Sequence, residues 1–409
     1  MLFVRLFDRL IKVGSLTVID AFGASHVFPG AGGPKVTVRL HDKALHHRLF
    51  FHPCLGGGEA YMDGTLTIEE GSLHDFHDLF ARNLRDPDFG LIGTAIRNLD
   101  RLSSLIAEYT PARRASANAA HHYDLSGALY DLFLDADRQY SCAYFTGTGE
   151  SLESAQDNKK RHIAAKLLLT RPGLRVLDIG SGWGGLALYL ARVARADVTG
   201  ITLSSEQVEA SRERAAAAGM ENQVRFHLSD YREEQGQYDR IVSVGMFEHV
   251  GRPQYRAFFD RIRRLLKPDG VALLHTISSM MPPEPTNPWI RKYIFPGGHI
   301  PSLSEILPSV EQCGMWITDV EILRHHYAKT LKEWHRRFQA HRDEIAGIYD
   351  ERFCRMWEFY LVGSEMAFRH QGDMVAQIQL ARSQDAVPLT RDYIGEWENT
   401  HAGARTVAA

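Results

Sequence analysis

The chain has 409 residues, 44% of them hydrophobic, enough for two domains with their own cores, and it carries no internal repeat or long low-complexity run. Its 47 Lys and Arg stand against 50 Asp and Glu, so net charge gives no reason to expect nucleic acid as a partner. Cys54, Cys142, Cys313 and Cys354 form neither a CxxC pair nor a zinc pattern, which argues against a disulfide framework or a metal site and fits a reducing cytoplasm. No stretch approaches the roughly 20 apolar residues of a membrane span, and no secretory leader is expected from the interrupted apolar pattern of the first residues.

The opening MLFVRLFDRLIKV places Leu2, Phe3, Leu6, Leu10 and Val13 on one helical face and Arg5, Arg9 and Lys12 on another. That pattern suits a helix on a membrane surface, and equally one packed on its own domain. The runs SLTVIDA, KVTVRL and TLTIE predict short strands and LHDFHDLFARNL a helix, together a small α+β domain over residues 1–114. Ala115–Asn118 is small and polar, a linker, and HHYDLSGALYDLFLD opens a second domain over 115–409.

That domain alternates strand and helix: RVLDIG then GGLALYLARVA, DVTGITL then SSEQVEASRERAAAAG, followed by the strands QVRFHLSD, YDRIVSVG and GVALLHTI. The order predicts a doubly wound parallel sheet of five strands. The Ser-Ser-Glu-Gln start offers caps and Gly219 a stop for the second helix. SSMMPPEPTNPW is too rich in proline for a helix or central strand and suits a lid or substrate wall. The last hundred residues are expected to be helical, most clearly TLKEWHRRFQAHRDEI and RFCRMWEFYLVGSEMAFRH.

RVLDIGSGWGGLALYLA carries the ligand chemistry. A strand ends at the acid Asp178, turns through Gly180, Gly182, Gly184 and Gly185, and enters a helix, presenting bare backbone to a nucleoside ligand. A dinucleotide site expects an acid about 20 residues onward, but GITLSSEQ has none at its strand end. No Gly-Lys-Ser/Thr follows the glycines either, so a P-loop fails. S-adenosylmethionine fits better, with the Asp178 carboxylate complementing the ammonium of its amino-acid portion.

Around this loop the strings YSCAYF, LESAQ, VLDIGSGWGGLA, RIVSVGMFEHVG, LLHTI and WIRKYIFPGG run from about Ala120 to Arg382, with GEAYMDG earlier in the chain. In them the sequence resembles the cyclopropane fatty acid synthases, including the mycolic acid cyclopropane synthases. The resemblance implies an α/β, Rossmann-like S-adenosylmethionine-dependent methyltransferase domain, a smaller N-terminal α+β domain that binds lipid or a partner, and extra C-terminal helices. It implies that Tyr123, Tyr140, Ser141, Gly180, Gly182, Gly184, Thr202, Leu203 and Gln207 surround the cofactor, Gln207 serving the ribose without a charge, and that Asp230 and Tyr231 lie near the adenine.

The activity so implied is transfer of a methylene group to the cis double bond of unsaturated acyl chains in membrane phospholipids. Bicarbonate would be the base, held by the side chains of Glu248, His275 and Tyr327 and by backbone groups at Cys142 and Ile277. Taken singly, each of these residues has an ordinary structural reading; Cys142 is assigned positioning rather than nucleophilic attack. Tyr144, Phe145 and Phe247 are the aromatic candidates for shielding a cationic reaction centre. Two alternatives stay open: a fatty-acyl C-methyltransferase giving methyl- or methylene-branched chains, and a non-catalytic lipid-binding protein. A cysteine of many relatives is Ser364 here, which puts any thiol role at that position in doubt, and Glu365 is expected to be structural. The implied partner is a phospholipid bilayer surface, reached from the cytoplasm at the inner face of the membrane; a homodimer would give two such contacts and is a possible assembly.

Overall fold

The computed structural model describes residues 2–84 and 127–403. These fall into two compact units, one of residues 2–84, 284–296 and 331–373, the other of residues 127–283, 297–330 and 374–403. The expected linker at 115–118 lies outside the described residues.

In the first unit β1 (Val13–Ile19), β2 (Ser25–Pro29), β3 (Ala31–Leu40) and β4 (Leu66–Glu70) form a sheet in the order β2-β1-β3-β4. β1 alternates along its length, sending Leu16 and Val18 inward, and β3 adds Val36, Val38 and Leu40. Phe7 and Leu10 of the helix Leu2–Leu10 enter the same core, as do Leu45, Leu49, Phe76 and Leu79 from later helices. At those two positions, then, the first helix serves its own unit.

The segment from Glu284 also belongs here. Asn287 caps the short helix Pro288–Tyr293, and Trp289 is buried where a Cβ on Gly58 would stand 2.4 Å from its ring. Lys292 Nζ and Tyr293 OH both donate to Glu59 Oε1, at 2.6 and 2.8 Å. GEAYMDG and WIRKYIFPGG, far apart in sequence, are therefore two sides of one packing contact, and Trp289 at the end of the expected lid is core while Asn287 and Pro288 before it are exposed. The helix Glu351–Met366 holds buried Cys354, half-buried Ser364, and Glu365, which pairs with Arg369 and His74.

The second unit is a seven-stranded sheet in the order β10-β11-β9-β8-β5-β6-β7. β5 (Arg175–Ile179), β6 (Asp197–Thr202), β7 (Val224–Leu228), β8 (Tyr238–Val244) and β9 (Leu266–Ser279) are parallel, matching the sequence expectation. Neighbouring residues of β5 face opposite cores: Val176 packs with Leu186, Leu190 and Val198, and Leu177 with Phe258, Ile262 and Ile306. β10 (Trp316–Leu323) and β11 (Asp373–Ala381) extend the sheet as an antiparallel pair in a region expected to be helical. Gln377 and Gln379 interrupt the apolar run of β11, yet both are fully buried. Gln379 is satisfied by the Lys166 carbonyl at 2.6 Å and by Thr318, so tertiary partners let polar residues occupy a central strand.

Candidate active site

A crevice opens at the carboxyl ends of β5, β6 and β8, where the strand order reverses on either side of β5. Tyr140, Ser141, Asp178, Gly180, Gly182, Thr202, Leu203, Gln207, Asp230 and Tyr231 line it, all of them anticipated from the sequence. Tyr123 lies outside the described residues. Gly180 has φ +80°, and a Cβ there would stand 2.9 Å from Met246 Cβ. Of the loop glycines, Gly184 and Gly185 lie outside the lining. Gly184 caps the helix Gly185–Ala194 at φ +81°, where a Cβ would press on Phe226 at 2.8 Å and Ser211 at 2.9 Å, so close packing there requires a glycine.

The crevice is polar where the ligand loops meet. Asp178 is buried, its carboxyl is lifted to about 7 by desolvation, and Oδ2 has no protein hydrogen-bond partner; buried Ser181 Oγ is in the same position. Thr202 donates to Gln207 Oε1 at 2.8 Å, which leaves the Gln207 NH2 as the end available to a ligand. Arg232 binds Asp230 through Nε at 2.8 Å and reaches Gln254 Oε1 at 3.1 Å. The aromatic lining is Tyr130, Tyr140, Trp183 and Tyr231. Phe247, expected to shield the reaction centre, instead sits fully buried with its ring 4.4 Å from Tyr255 and 5.0 Å from Phe258. Tyr144 stacks between His162 and His326.

Sequence reasoning missed Lys159 in the crevice wall. The helix Leu152–Lys166 carries a row of buried polar residues and clamps the segment before Cys142. Gln156 Nε2 donates to the carbonyls of Gln139 and Ser141 at 3.2 and 3.0 Å, Lys159 Nζ reaches Gln139 Oε1 and Ser141 Oγ, and Lys160 binds Asp137. A Lys-Lys pair inside a helical stretch ordinarily marks a solvated face, so nothing in the sequence pattern separates it from one.

At the ends of β8 and β9 lies a second cluster. Glu248, in the turn after β8, accepts from the Ile277 N–H at 2.6 Å through Oε1, while its buried Oε2 has no protein partner. Burial lifts this carboxyl to about 7. That bond occupies the Ile277 N–H, which thus orients Glu248. His275 lies two residues earlier on the same face of β9, and Gln377 Nε2 approaches its Nδ1 at 3.1 Å. An amide donor on Nδ1 leaves the hydrogen on Nε2, which is also buried without a protein partner, and burial holds the ring neutral. One acceptor, in the turn after β8, and one donor, on β9, thus remain without a protein partner, a set that a small molecule with both an O–H and an acceptor oxygen would complement.

Cys142 and Tyr327 are tied to a common segment. The Ala143 N–H donates to Thr330 Oγ1 at 3.1 Å and the Phe145 N–H to His326 Nδ1 at 3.0 Å, bracketing Tyr327 at the start of the helix His326–Ala340. Burial pushes the Cys142 thiol well up, away from thiolate chemistry.

The end of β6 separates this crevice from a dinucleotide site: Thr202 and Gln207 stand where a ribose-binding carboxylate is required. With the glycine turn after β5 it defines an S-adenosylmethionine-dependent methyltransferase. Residues 110–378 match the family model described as mycolic acid cyclopropane synthetase. The cyclopropane-fatty-acyl-phospholipid synthase of Escherichia coli (strain K12) is 38% identical over 352 residues, covering 86% of this chain and 89% of that protein. A probable fatty acid methyltransferase of Pseudomonas putida is 36% identical over 353 residues, 82% of this chain and 84% of its own length. The crystal structure of mycolic acid cyclopropane synthase CmaA1 complexed with SAH and CTAB superposes with a TM-score of 0.63 at 35% identity, over 67% of this chain and 99% of that one. The chain belongs to the mycolic acid cyclopropane synthetase family of cyclopropane fatty acid synthases and fatty acid methyltransferases.

Proposed function

We propose that this protein transfers a methylene group from S-adenosylmethionine to the cis double bond of unsaturated acyl chains in membrane phospholipids, with bicarbonate as the base. The observation that carries the reading is that Glu248 Oε2 and His275 Nε2 are buried without a protein partner, Glu248 standing between Met246 and His249 of the crevice lining. The similarity to a cyclopropane-fatty-acyl-phospholipid synthase along most of both chains supports the substrate class.

The bound donor supplies an electrophilic methyl group for one alkene carbon, and loss of a proton from that methyl to the base closes the ring. Glu248, as a carboxylate, accepts an O–H from bicarbonate, and His275 donates from Nε2; together they orient the anion. Tyr327 is assigned as a further donor. Ile277 holds Glu248 in place and Gln377 holds the His275 tautomer. Burial of both groups keeps water from competing for the reaction centre.

The substrate requires work at a bilayer surface, for which a homodimer would supply two contacts; among the described residues no helix is long and apolar enough to cross a membrane. The second reading, a branched-chain product, is favoured by the similarity to a probable fatty acid methyltransferase. Incubation with unsaturated phospholipid vesicles and a trideuteromethyl donor, read by lipid mass spectrometry, separates the readings. Ring closure retains two deuterons and leaves no alkene, a methyl-branched chain retains three, and a methylene-branched chain retains two but keeps an alkene that catalytic hydrogenation reveals. Vesicle binding without formation of S-adenosylhomocysteine would leave a lipid-binding protein.

A further inference from the structure

Three lysines of the helix Leu152–Lys166 are fully buried, and they differ in what meets their charge. Lys160 pairs with Asp137 and Asp157, and Lys166 with Asp319 and Glu321. Lys159 lines the cofactor crevice, and its hydrogen-bond partners are neutral: Gln139 Oε1 at 2.6 Å and Ser141 Oγ at 2.7 Å. Among the described residues no carboxylate forms an ion pair with it. Asp135 and Asp137 act on it only from beyond ion-pair distance; burying an ammonium whose hydrogen bonds all go to neutral groups is costly, and a neutral residue would avoid that cost if only the loop needed holding. The loop backbone is in any case held by Gln156, which binds the carbonyls of both Gln139 and Ser141.

The geometry points to Lys159 as the positioning residue through which the crevice recognises the carboxylate of the cofactor's amino-acid tail, acting on Ser141. An ammonium has no acceptor, so in the Lys159–Ser141 bond the serine oxygen must accept. The Ser141 hydrogen is then turned away from the lysine, making the hydroxyl a donor to an anion in the crevice, with the lysine charge directly behind it. Asp178, in the same lining and with Oδ2 unpartnered, supplies the opposite charge for the ammonium of the same tail. The two ends of a zwitterion are thereby matched by two buried charges of opposite sign. Burial lowers Lys159 to about 8, which leaves it mostly protonated at neutral pH, and an anion beside it would favour that form further.

This inference rests on the crevice being the cofactor site, and its test compares two ligands by calorimetry at pH 7. One is S-adenosylhomocysteine; the other is its decarboxylated form, with an aminopropyl in place of the aminocarboxypropyl group. The wild type is expected to prefer the first by about 10- to 100-fold, the range of a charge-assisted hydrogen bond. Lys159→Met should remove most of that preference by weakening the first ligand while leaving the second within about threefold. Lys159→Arg should restore part of it, and Ser141→Ala, which removes only a hydroxyl and serves if the methionine variant does not fold, should reduce it likewise. Equal weakening of both ligands in Lys159→Met, with an unchanged melting curve, would make the lysine a loop clamp and overturn the proposal; so would an unchanged preference. Failure of the wild type to bind either ligand would overturn the cofactor assignment and the proposal with it.

Discussion

At the ends of β5, β6 and β7 the site is made largely of backbone and of side chains that satisfy one another, Thr202 on Gln207 and Arg232 on Asp230 and Gln254, with Asp178 Oδ2 and Ser181 Oγ left unpartnered. At β8 and β9 it is made of two side chains, each with one end anchored and the other left without a protein partner, Glu248 on the Ile277 N–H and His275 on Gln377. The first arrangement spreads binding over many modest contacts, so single changes there should weaken the cofactor gradually. The second concentrates chemistry in a few buried atoms, where a change should stop turnover without moving cofactor affinity.

The sharpest way to break this division is Glu248→Gln. Losing the carboxylate should lower turnover by on the order of 10² to 10⁴, the range for a positioned acid-base group, while S-adenosylhomocysteine affinity stays within about twofold. A parallel loss of affinity would mean the two halves are one. Gly184→Ala should act through the fold: a positive φ and the approach to Phe226 and Ser211 together predict a loss of roughly 2 to 4 kcal/mol in denaturant unfolding. Stability unchanged by that substitution would return Gly184 to a ligand role.

Gln377→Leu should release the His275 tautomer and cost roughly tenfold in kcat, with the cofactor KM unaltered. The smallest effect is in pH. Glu248 acts as a carboxylate and its folded value is raised to about 7, so the active form is lost as pH falls; kcat at saturating cofactor should drop about fourfold from pH 8 to 6.5. Asp178, also lifted to about 7, must ionise to meet an ammonium, so cofactor affinity should weaken over the same interval. Glu248→Gln should flatten the first profile and leave the second.

Much of the cofactor half was legible because it is local. Ser204 caps the helix Ser205–Ala217 through the Gln207 N–H, as the Ser-Ser-Glu-Gln start predicts, and the turn after β5 follows from glycines placed directly between a strand and a helix. The roles of Phe247, Gly184 and Lys159 were not legible. Each depends on neighbours distant in sequence: the aromatic cluster around Phe258, Phe226 on another strand, and the segment ending at Ser141.

By itself the sequence determined the five parallel strands, since strand and helix periodicity, caps and glycine turns act over a few residues, and it carried the family through the strings that bear the resemblance. Only the tertiary structure decided that Gln377 and Gln379 sit in a buried strand, that residues 284–296 and 331–373 join the first unit, and which buried polar atoms keep no protein partner. The physical reason is that the cost of burying a polar group depends on what meets it in space, and chain order does not contain that information.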